Sequence, residues 1–396
     1  MLSVILFNCC FSFAAVRRVG FTDVPPVPNV DYLTFYKAYT AAQAGDTIYV
    51  FAGKVLGSED WPTTRNWPII TKKLVIIGRG NLLDTSIVPK GNINQQVNVG
   101  TTYIGGQQYY GTNYIYFNAG SEGSVITGFN GSDGGRIVVG ANNINVKRNY
   151  NIGVNLSNVN VSNLLVENNY RVYFEGGESQ SAVYDNIIIR NNLIYSFSLP
   201  AKLYKGIIEN NVWAYDRSGS ANGGAESMSL AEPYYSGYKE SSYINLQNGK
   251  WLFQNNLIIH YQSDALNISP FVITGAGNTT FNDNLATAST NATVWPNNAS
   301  PANKFIEPSK VKDVFEAFPA IGTYSADSRY RLKANSPANK ANRPGSIADA
   351  GMYGGNTPYR LSTIPSIPTI YMISSPQGNN PTGNTLQINI STRSNN

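Results

Sequence analysis

The sequence has few of the residues that most often carry chemistry. Among 396 residues there are two cysteines, Cys9 and Cys10, and one histidine, His260. Both cysteines lie in the first apolar stretch. If that stretch is removed, the rest of the chain has no disulfide and no catalytic thiol. A metal site built from cysteine and histidine is then excluded as well.

Charge is also scarce. Only 13% of residues are charged, and 29 Lys and Arg against 24 Asp and Glu leave a formal net charge of +5. The basic residues are scattered along the chain, whereas nucleic-acid binders gather them on one face. We therefore expect no nucleic-acid partner. The 42% of hydrophobic residues excludes a disordered chain.

Long hydrophobic runs are missing too. No run approaches the length of a membrane-spanning helix, so we expect no integral membrane segment. The stretch Leu2–Phe13 is too short to span a bilayer and runs into a small-x-small pattern at residues 12–14. This predicts a secretory signal peptide at residues 1–14 and a secreted, extracellular or cell-surface protein. A buried N-terminal strand is the alternative. No Lys or Arg precedes the run, which leaves open a start further upstream.

Turn-forming and strand-forming residues are abundant. The chain contains 49 Asn, 36 Gly and 26 Tyr. Asn and Gly favour tight turns, and Tyr and Thr favour strands. Ala, Glu, Lys and Leu do not dominate, which argues against a helical bundle. The composition predicts an all-β protein with many turns.

An internal repeat defines the architecture. Six segments align without gaps, each a short apolar run that ends in Asn, with steps of 20, 23, 19, 45 and 28 residues between the final Asn positions. The long step fits either two turns or one turn that carries an insertion at about residues 213–250. The six segments are Ile144–Asn149, Leu164–Asn169, Ile187–Asn192, Gly206–Asn211, Trp251–Asn256 and Thr279–Asn284.

A period near 20 with one strand per period indicates a solenoid of stacked coils. The residues three and five before the final Asn share one face of the strand and predict a buried column of Val, Ile and Phe. No helix-length amphipathic segment separates the strands, which excludes a βαβ sheet. We expect an all-β parallel β-helix.

Two columns of the alignment have structural explanations. The final Asn tolerates the left-handed backbone of a sharp turn, and stacked Asn side chains can form a hydrogen-bonded ladder. The position two before it alternates in sign over four units, which predicts a self-neutralising charge ladder rather than a charged groove for an ionic polymer. That column reads Lys147, Glu167, Arg190, Glu209, Gln254 and Asn282.

Short motifs near both ends resemble a known superfamily. The opening Ala42–Ile48 reads Ala-x-x-Gly-Asp-Thr-Ile, and Lys73–Gly78 reads Lys-Leu-x-Ile-x-Gly. With the later phrases Ser336–Ala338 and Asp349–Gly355, they resemble the first and closing coils of the pectate-lyase-like parallel β-helix superfamily, in its secreted bacterial members. The resemblance covers roughly residues 31–356. It implies a right-handed parallel β-helix over residues 15–356 with an N-terminal cap.

Enzymes of that superfamily mostly act on acidic polysaccharides, but their motifs are not evident here. The polygalacturonase type has clustered Asp residues and a Gly-His-Gly, whereas His260 stands between Ile and Tyr. The pectate-lyase type needs an acidic cluster for calcium, and the repeat strands show none. We therefore expect no cofactor, with Ca²⁺ required only if the protein is a lyase.

The chain changes character over residues 357–396. A Pro-rich stretch leads to an alternating pattern at Thr385–Thr392, which predicts a short C-terminal β tail. Such a tail could cap the open end of the solenoid, pair with another chain to form an oligomer, or serve sorting.

The insertion is the main candidate for a binding site. Insertions on a rigid solenoid commonly form its binding surface. Aromatic rings suit sugar faces, and charged groups can hydrogen-bond sugar hydroxyls. A flap that only covers the flank is the alternative. The candidate substrate-binding residues are Trp213, Asp216, Arg217, Glu226, Glu232, Tyr235 and Lys239.

A second candidate lies near the end of the predicted solenoid. On a strand, Arg329, Arg331 and Lys333 would share a face that could meet a polyanion. A plain solvated face is the alternative.

These patterns predict a secreted or cell-surface protein that is not an enzyme and that binds a polysaccharide or cell-surface glycan or contributes to adhesion. The alternative is a polysaccharide lyase or glycoside hydrolase that acts on an acidic polysaccharide through the insertion. A third hypothesis is a subunit of a trimeric spike or filament.

Overall fold

A computed structural model gives the fold of most of the chain. It describes residues 14–20, 30–50, 53–54, 68–78, 80, 102–103, 114–131, 135–176, 182–199, 203–216, 243–247, 249–261, 272–287, 295–296, 299–317, 327–361, 369–374 and 389–393. All but the last residue of the predicted signal peptide lies outside these ranges.

Strands are the predominant regular secondary structure of the described chain. One α-helix, Phe35–Ala41 (α1), and short 3₁₀ helices at Pro308–Asp313, Ser328–Tyr330 and Lys340–Asn342 accompany them. The strands are β1 Val16–Val19, β2 Thr47–Val50, β3 Gly53–Lys54, β4 Ile69–Ile70, β5 Val75–Ile77, β6 Thr102–Tyr103, β7 Tyr114–Phe117, β8 Val125–Thr127, β9 Arg136–Val139, β10 Asn145–Lys147, β11 Gly153–Leu156, β12 Val161–Ser162, β13 Leu165–Glu167, β14 Tyr170–Gly176, β15 Val183–Arg190, β16 Leu193–Ser198, β17 Leu203–Glu209, β18 Val212–Asp216, β19 Tyr243–Asn245, β20 Lys250–Gln254, β21 Leu257–Tyr261, β22 Val272–Thr274, β23 Thr280–Asn282, β24 Leu285–Thr287, β25 Lys304–Ile306, β26 Thr369–Ser374 and β27 Asn389–Arg393.

Two long sheets dominate the architecture. Sheet A has the order β1-β2-β5-β8-β10-β13-β15-β17-β20-β23, and sheet B the order β25-β24-β21-β18-β16-β14-β11-β9-β7-β4. The pairings along both orders are parallel, and from β7 onward the chain passes back and forth between the sheets. The all-β prediction is confirmed, and two long parallel sheets are consistent with a parallel β-helix or solenoid.

The core lies between the two sheets. The predicted apolar column on sheet A is buried, with exposed fractions of 0 to 1%. Neighbouring units meet in register, as Val146 with Val166 and Val166 with Ile189. The column consists of Val146, Val166, Ile189, Ile208, Phe253 and Phe281.

The 45-residue step is one turn that carries an insertion. Strand β17 pairs directly with β20, and Ile208 lies opposite Phe253. The insertion leaves after β18 and returns through β19, which pairs with the end of β16 and with β22. The units on either side of the insertion therefore remain directly paired.

The predicted asparagine ladder is present, and it extends one member further. In the first six members Nδ2 donates to Oδ1 of the next Asn at 2.8–3.1 Å, and the backbone N–H of each donates to the same oxygen at 2.9–3.0 Å. Each Nδ2 also donates to a strand carbonyl of the preceding unit. The ladder runs through Asn149, Asn169, Asn192, Asn211, Asn256, Asn284 and Asn303, and its members are 0 to 8% exposed.

The left-handed turn lies one residue earlier than predicted. The sequence reading assigned both the turn and the ladder to the final Asn, but none of the six final Asn residues has positive φ. The residue before it takes the left-handed backbone, so that the final side chain can turn inward and meet its partners above and below. This turn column, with φ between 50° and 58°, reads Arg148, Asn168, Asn191, Asn210, Asn255 and Asp283.

The charge ladder forms as predicted. Arg190 Nε lies 2.7 Å from one Glu167 carboxylate oxygen, and Lys147 Nζ lies 3.3 Å from the other. Arg190 is 4.0 Å from Glu209, which accepts a hydrogen bond of 2.9 Å from Gln254. Opposite charges on neighbouring rungs therefore compensate one another along the outer face of sheet A.

A second apolar layer covers part of sheet B. Outward-facing residues of this sheet, among them Leu193, Val212 and Leu257, pack against residues from the segment 306–359, among them Phe315 and Met352. The layer is a separate cluster from the core between the sheets. It buries outward-facing residues of sheet B from β14 to β25.

Residues 336–361, here called the strap, run lengthwise along the turn column. Asn255 donates to the Asp349 carbonyl at 2.8 Å, Asn191 to the Met352 and Gly354 carbonyls at 2.9 and 2.7 Å, and Asn168 accepts from the Arg360 N–H at 3.1 Å. Arg343 forms a salt bridge with Asp283. The phrase at 336–355, which resembles a closing coil, forms no strand and instead ties successive units together.

The tail contains an antiparallel pair, β26 with β27. The predicted strand at Thr385–Thr392 overlaps β27, and the part of it before residue 389 lies outside the described residues.

Removing one ladder amide should cost far more than removing an exposed one. In Asn192→Ala the buried partners in Asn169, Asn211 and the Val166 carbonyl lose their hydrogen bonds. We expect the free energy of unfolding to fall by about 4 kcal/mol, measured by urea denaturation. The control Asn163→Gly removes an exposed ladder contact and should cost less than about 1 kcal/mol. Equal losses would contradict the ladder's role.

Glu167 should make stability depend on acid pH. Burial by itself would raise the pKa of Glu167, but Lys147 and Arg190 outweigh it and hold the pKa below its ordinary value. The ionised carboxylate therefore stabilises the fold above about pH 4.5, and that stability is lost as the pH falls through the lowered pKa. Wild type should exceed Glu167→Gln in stability at pH 7, with the gap closing towards pH 3. A gap that does not change with pH would show that Glu167 is not ionised.

Candidate functional site

The structure describes two of the seven residues of the predicted insertion site, Trp213 and Asp216. Arg217, Glu226, Glu232, Tyr235 and Lys239 lie outside the described residues. Asp216 is the last residue of β18, and residues 217–242 that follow it lie outside the described ranges. The proposed binding role of these residues stays a prediction.

Trp213 faces the interior. Its side chain is 6% exposed and belongs to the core between the sheets. The ring stacks on Phe253 at a centroid distance of 5.6 Å and meets Phe197 edge-on at 6.3 Å. In this position the indole packs in the core between the sheets and presents no face to a ligand outside it.

The second predicted site, at residues 329–333, is wrong. Ser328–Tyr330 is a 3₁₀ helix rather than a strand, so the basic residues do not share a strand face. Arg329 is 2% exposed and donates to the Tyr330 hydroxyl at 3.1 Å. Tyr330 packs in the layer that covers sheet B, and this packing draws Arg329 inside with it.

A groove on the outer face of sheet A is the best candidate within the described structure. It has a volume of about 550 Å³ and crosses the edges of β15, β17, β20 and β23. The described residues that line it are Asp185, Asn186, Lys205, Gly206, Ile207, Lys250, Trp251, Leu252, Asn278 and Thr280.

The floor of the groove is apolar. Side chains alternate along a strand, so Ile207 and Leu252 point outward beside the buried Ile208 and Phe253. Gly206 lies opposite the buried Trp251, so a side chain at this position would point inward beneath the floor. A Cβ there would lie 2.0 Å from the Ile187 carbonyl oxygen and would also crowd the Trp251 ring.

Aromatic rings support the floor from inside. Trp251 stacks on Tyr204 at 5.7 Å, and Tyr204 stacks on Tyr184 at 5.1 Å. Burial raises the pKa of Tyr184 to about 12, and burial first, then the neighbouring Tyr184, raises the pKa of Tyr204 further. Both phenols are therefore neutral at physiological pH, and the stack is a rigid base rather than a source of charge.

The rim of the groove is polar and cationic. Lys205 and Lys250 lie opposite each other on adjacent strands. Lys205 Nζ is 3.5 Å from Asp185, in an exposed pair, and no described salt bridge involves Lys250. Two adjacent cations with one carboxylate give this side of the groove a positive potential.

The rim coincides with a column of the repeat that sequence reasoning missed. The residue six before the final Asn is Asn143, Asn163 and Asn186 in the first three units, and these side chains form an exposed ladder with bonds of 3.0 and 2.6 Å. In the next two units the same position is Lys205 and Lys250. Extending the alignment by one residue shows this replacement.

The lining groups are suited to binding. Amide, hydroxyl and ammonium groups around an apolar floor can hydrogen-bond a polar chain whose ring faces rest on Ile207 and Leu252. Among the described lining residues, Asp185 alone carries a carboxylate. In the described part of the chain, no group of three or more His, Cys, Asp or Glu is placed to hold a metal ion.

Comparison with known proteins assigns no relative: no family model, no curated protein and no solved structure matches the chain. Within the described residues, the structure has no helix of sufficient length and apolarity to cross a membrane.

Substitution of Trp213 should affect folding. Trp213→Ala leaves a cavity beside Phe253 and should lower the free energy of unfolding by about 3–5 kcal/mol. Trp213→Phe keeps most of the packing and removes an indole N–H that has no acceptor among the described residues, so the loss should be below about 1.5 kcal/mol. Thermal and urea denaturation would measure both. An unchanged stability in Trp213→Ala would place the ring outside the core.

Proposed function

We propose that the chain is a right-handed parallel β-helix of the pectate-lyase-like kind and that it is exported from the cell. We further propose that it binds a glycan and does not catalyse its cleavage. The fold part of the proposal is supported by the two parallel sheets and by the alternation of the chain between them. Crossovers between parallel strands of one sheet are right-handed in nearly all proteins, which supports the hand.

The observation that carries the binding function is the groove on sheet A. The rim column changes from hydrogen-bonded Asn to Lys205 and Lys250 over a floor of Ile207 and Leu252. An exposed ladder of Asn satisfies itself along the stack. The lysines, by contrast, direct charge to the solvent, and among the described salt bridges only Lys205 has a carboxylate beside it.

The shape of the surface favours a chain-like ligand. Adjacent strands of a sheet are spaced at about 4.8 Å, so the groove offers similar groups at regular intervals along the solenoid axis. A polysaccharide presents hydroxyl or carboxylate groups at regular intervals too. Polar rims with an apolar floor match the two kinds of surface that a sugar ring carries.

Adhesion follows from the same surface if the glycan belongs to another cell or to a matrix. The fold supports this role, because the self-satisfied ladders on sheet A make the solenoid a rigid platform. The proposal of export rests on the apolar segment at the start of the chain.

Binding can be tested with the full chain against acidic polysaccharides, such as polygalacturonate and alginate, and neutral ones, such as xylan and dextran. Lys250→Ala and Leu252→Ala should each weaken binding of the polysaccharide that wild type retains, by roughly 5- to 30-fold, because each loses a contact worth about 1–2 kcal/mol. Affinity electrophoresis or calorimetry would measure the change.

The matched control is Lys304→Ala, which removes an exposed strand lysine of sheet B outside the groove. It should bind as wild type does. If both groove variants also bind as wild type, the groove is not the site. Release of new reducing ends or of unsaturated uronate absorbance during incubation would replace the binding function with a glycoside hydrolase or polysaccharide lyase.

A further inference from the structure

The carboxylate of the opening phrase Ala42–Ile48 has a role that the binding groove does not explain. Asp46 stands at the turn between α1 and β2, and its side chain is 4% exposed. A buried carboxylate needs hydrogen-bond donors or a cation beside it. The groups that contact Asp46 therefore indicate what this phrase holds in place.

Asp46 accepts hydrogen bonds from three donors. Its Oδ2 atom accepts from Arg17 Nε and from the Gln43 N–H, each at 2.9 Å, and its Oδ1 atom accepts from the Ala15 N–H at 2.8 Å. Burial by itself would raise the pKa of Asp46, but the backbone hydrogen bonds and the Arg17 cation outweigh it and hold the pKa below its ordinary value. The ionised carboxylate is therefore directed at the backbone nitrogen of Ala15.

The contacts of the N-terminal strand start at Ala15. Its carbonyl accepts from the Thr47 N–H at 2.8 Å, and the pairing of β1 with β2 begins at the next residue, where Val16 lies opposite Thr47. Ala14 is exposed and belongs to no strand. The boundary of the predicted signal peptide thus coincides with the beginning of the hydrogen-bonded chain.

Sequence and structure favour the same bond for cleavage. Ser12 and Ala14 are the small residues of the small-x-small pattern, whereas a pattern that ends one residue later would put Phe13 where a small residue is required. A cut after Ala15 would also remove both of the hydrogen bonds that this residue makes to the solenoid. A cut after Ala14 preserves them.

We propose that the chain is cleaved between Ala14 and Ala15 and that the new α-ammonium group of Ala15 forms an ion pair with the buried Asp46 carboxylate. The inference rests on the proposed export. Hydrolysis adds the hydroxyl of water to the Ala14 carbonyl carbon and breaks the C–N bond. The Ala15 nitrogen receives one proton from that water and one from the new carboxyl group.

Cleavage then strengthens a contact that the fold already contains. The ammonium keeps one hydrogen towards Asp46 Oδ1, and its other hydrogens can be hydrated because Ala15 is exposed. A charged N–H donor makes a shorter and stronger hydrogen bond to a carboxylate than a neutral amide does. The ion pair holds β1, the terminal strand of sheet A, to the turn that precedes β2.

The position of the cut can be measured directly. The full chain is expressed in a secreting host, and the mass and the first residue of the exported protein are determined by mass spectrometry. We expect the exported chain to begin at Ala15. An exported chain that begins at another residue would overturn this inference and leave the export proposal intact. If the protein stays inside the cell with residues 1–14 attached, both proposals are wrong.

The ion pair can be tested by acylating the α-amino group of the exported protein. Only the neutral amine reacts, and a neighbouring carboxylate favours the ammonium form. Near pH 7 the α-amino group should therefore react about tenfold more slowly in wild type than in Asp46→Asn, which removes the negative charge. Peptide mass spectrometry distinguishes this group from the lysines, and thermal denaturation checks that both proteins are folded.

A second variant leaves the surroundings of Asp46 unchanged. Insertion of Asn-Gln between Ala14 and Ala15 keeps a peptide N–H at Ala15 with its hydrogen bond to Asp46, but moves the α-amino group two residues away. This amine should react about as fast as that of Asp46→Asn. The matched control Asp31→Asn removes the exposed carboxylate that pairs with Arg18 and should react as slowly as wild type. If wild type reacts as fast as the insertion variant, the ion pair does not form.

Discussion

The rest of the structure depends on the hydrogen bonds made at one turn, the turn from sheet A to sheet B. Where the chain passes from sheet A to sheet B, backbone groups turn into the interior and must find partners there. The amide ladder supplies them, because each Asn joins its own unit to the units on both sides. Such a ladder needs the same residue at the same place in every unit. This explains why the six segments align without gaps, while the long insertion follows β18 in the chain and does not interrupt the pairing of β17 with β20.

Because the ladder Asn at this turn is the same in every unit, other columns of the repeat can vary without disturbing the backbone. The charge ladder alternates in sign and neutralises itself, whereas the turn column offers amides to which the strap binds. The proposed binding groove arises where cations replace Asn in a column of the repeat, at Lys205 and Lys250 of its rim. In a repeat, such departures from local consistency mark the positions at which a surface faces a partner.

Much of the fold was predictable because, in a repeat of this kind, equivalent residues of adjacent units contact one another. The buried column, the Asn ladder and the charge ladder each join equivalent residues of adjacent units, so alignment alone identifies the partners. Less of the site was predictable. The rim of the groove lies one residue outside the aligned segments. Trp213 is aromatic and therefore suggested sugar binding, but Phe253 and Phe197 hold it in the core. Whether a side chain after a turn points inward depends on the geometry of that turn, which composition does not reveal.

The sequence by itself determined the repeat, its strand-forming apolar column and the identity of most ladder residues, because these interactions recur at a near-constant spacing. Tertiary structure alone decided which Asn of each pair bends the backbone, that Asn303 extends the ladder, and that the strap lies along the turn column. The strap contacts join residues up to 192 positions apart, as in Arg360 with Asn168. No period connects such residues; the apolar layer on sheet B and the hydrogen bonds of the turn column bring them together.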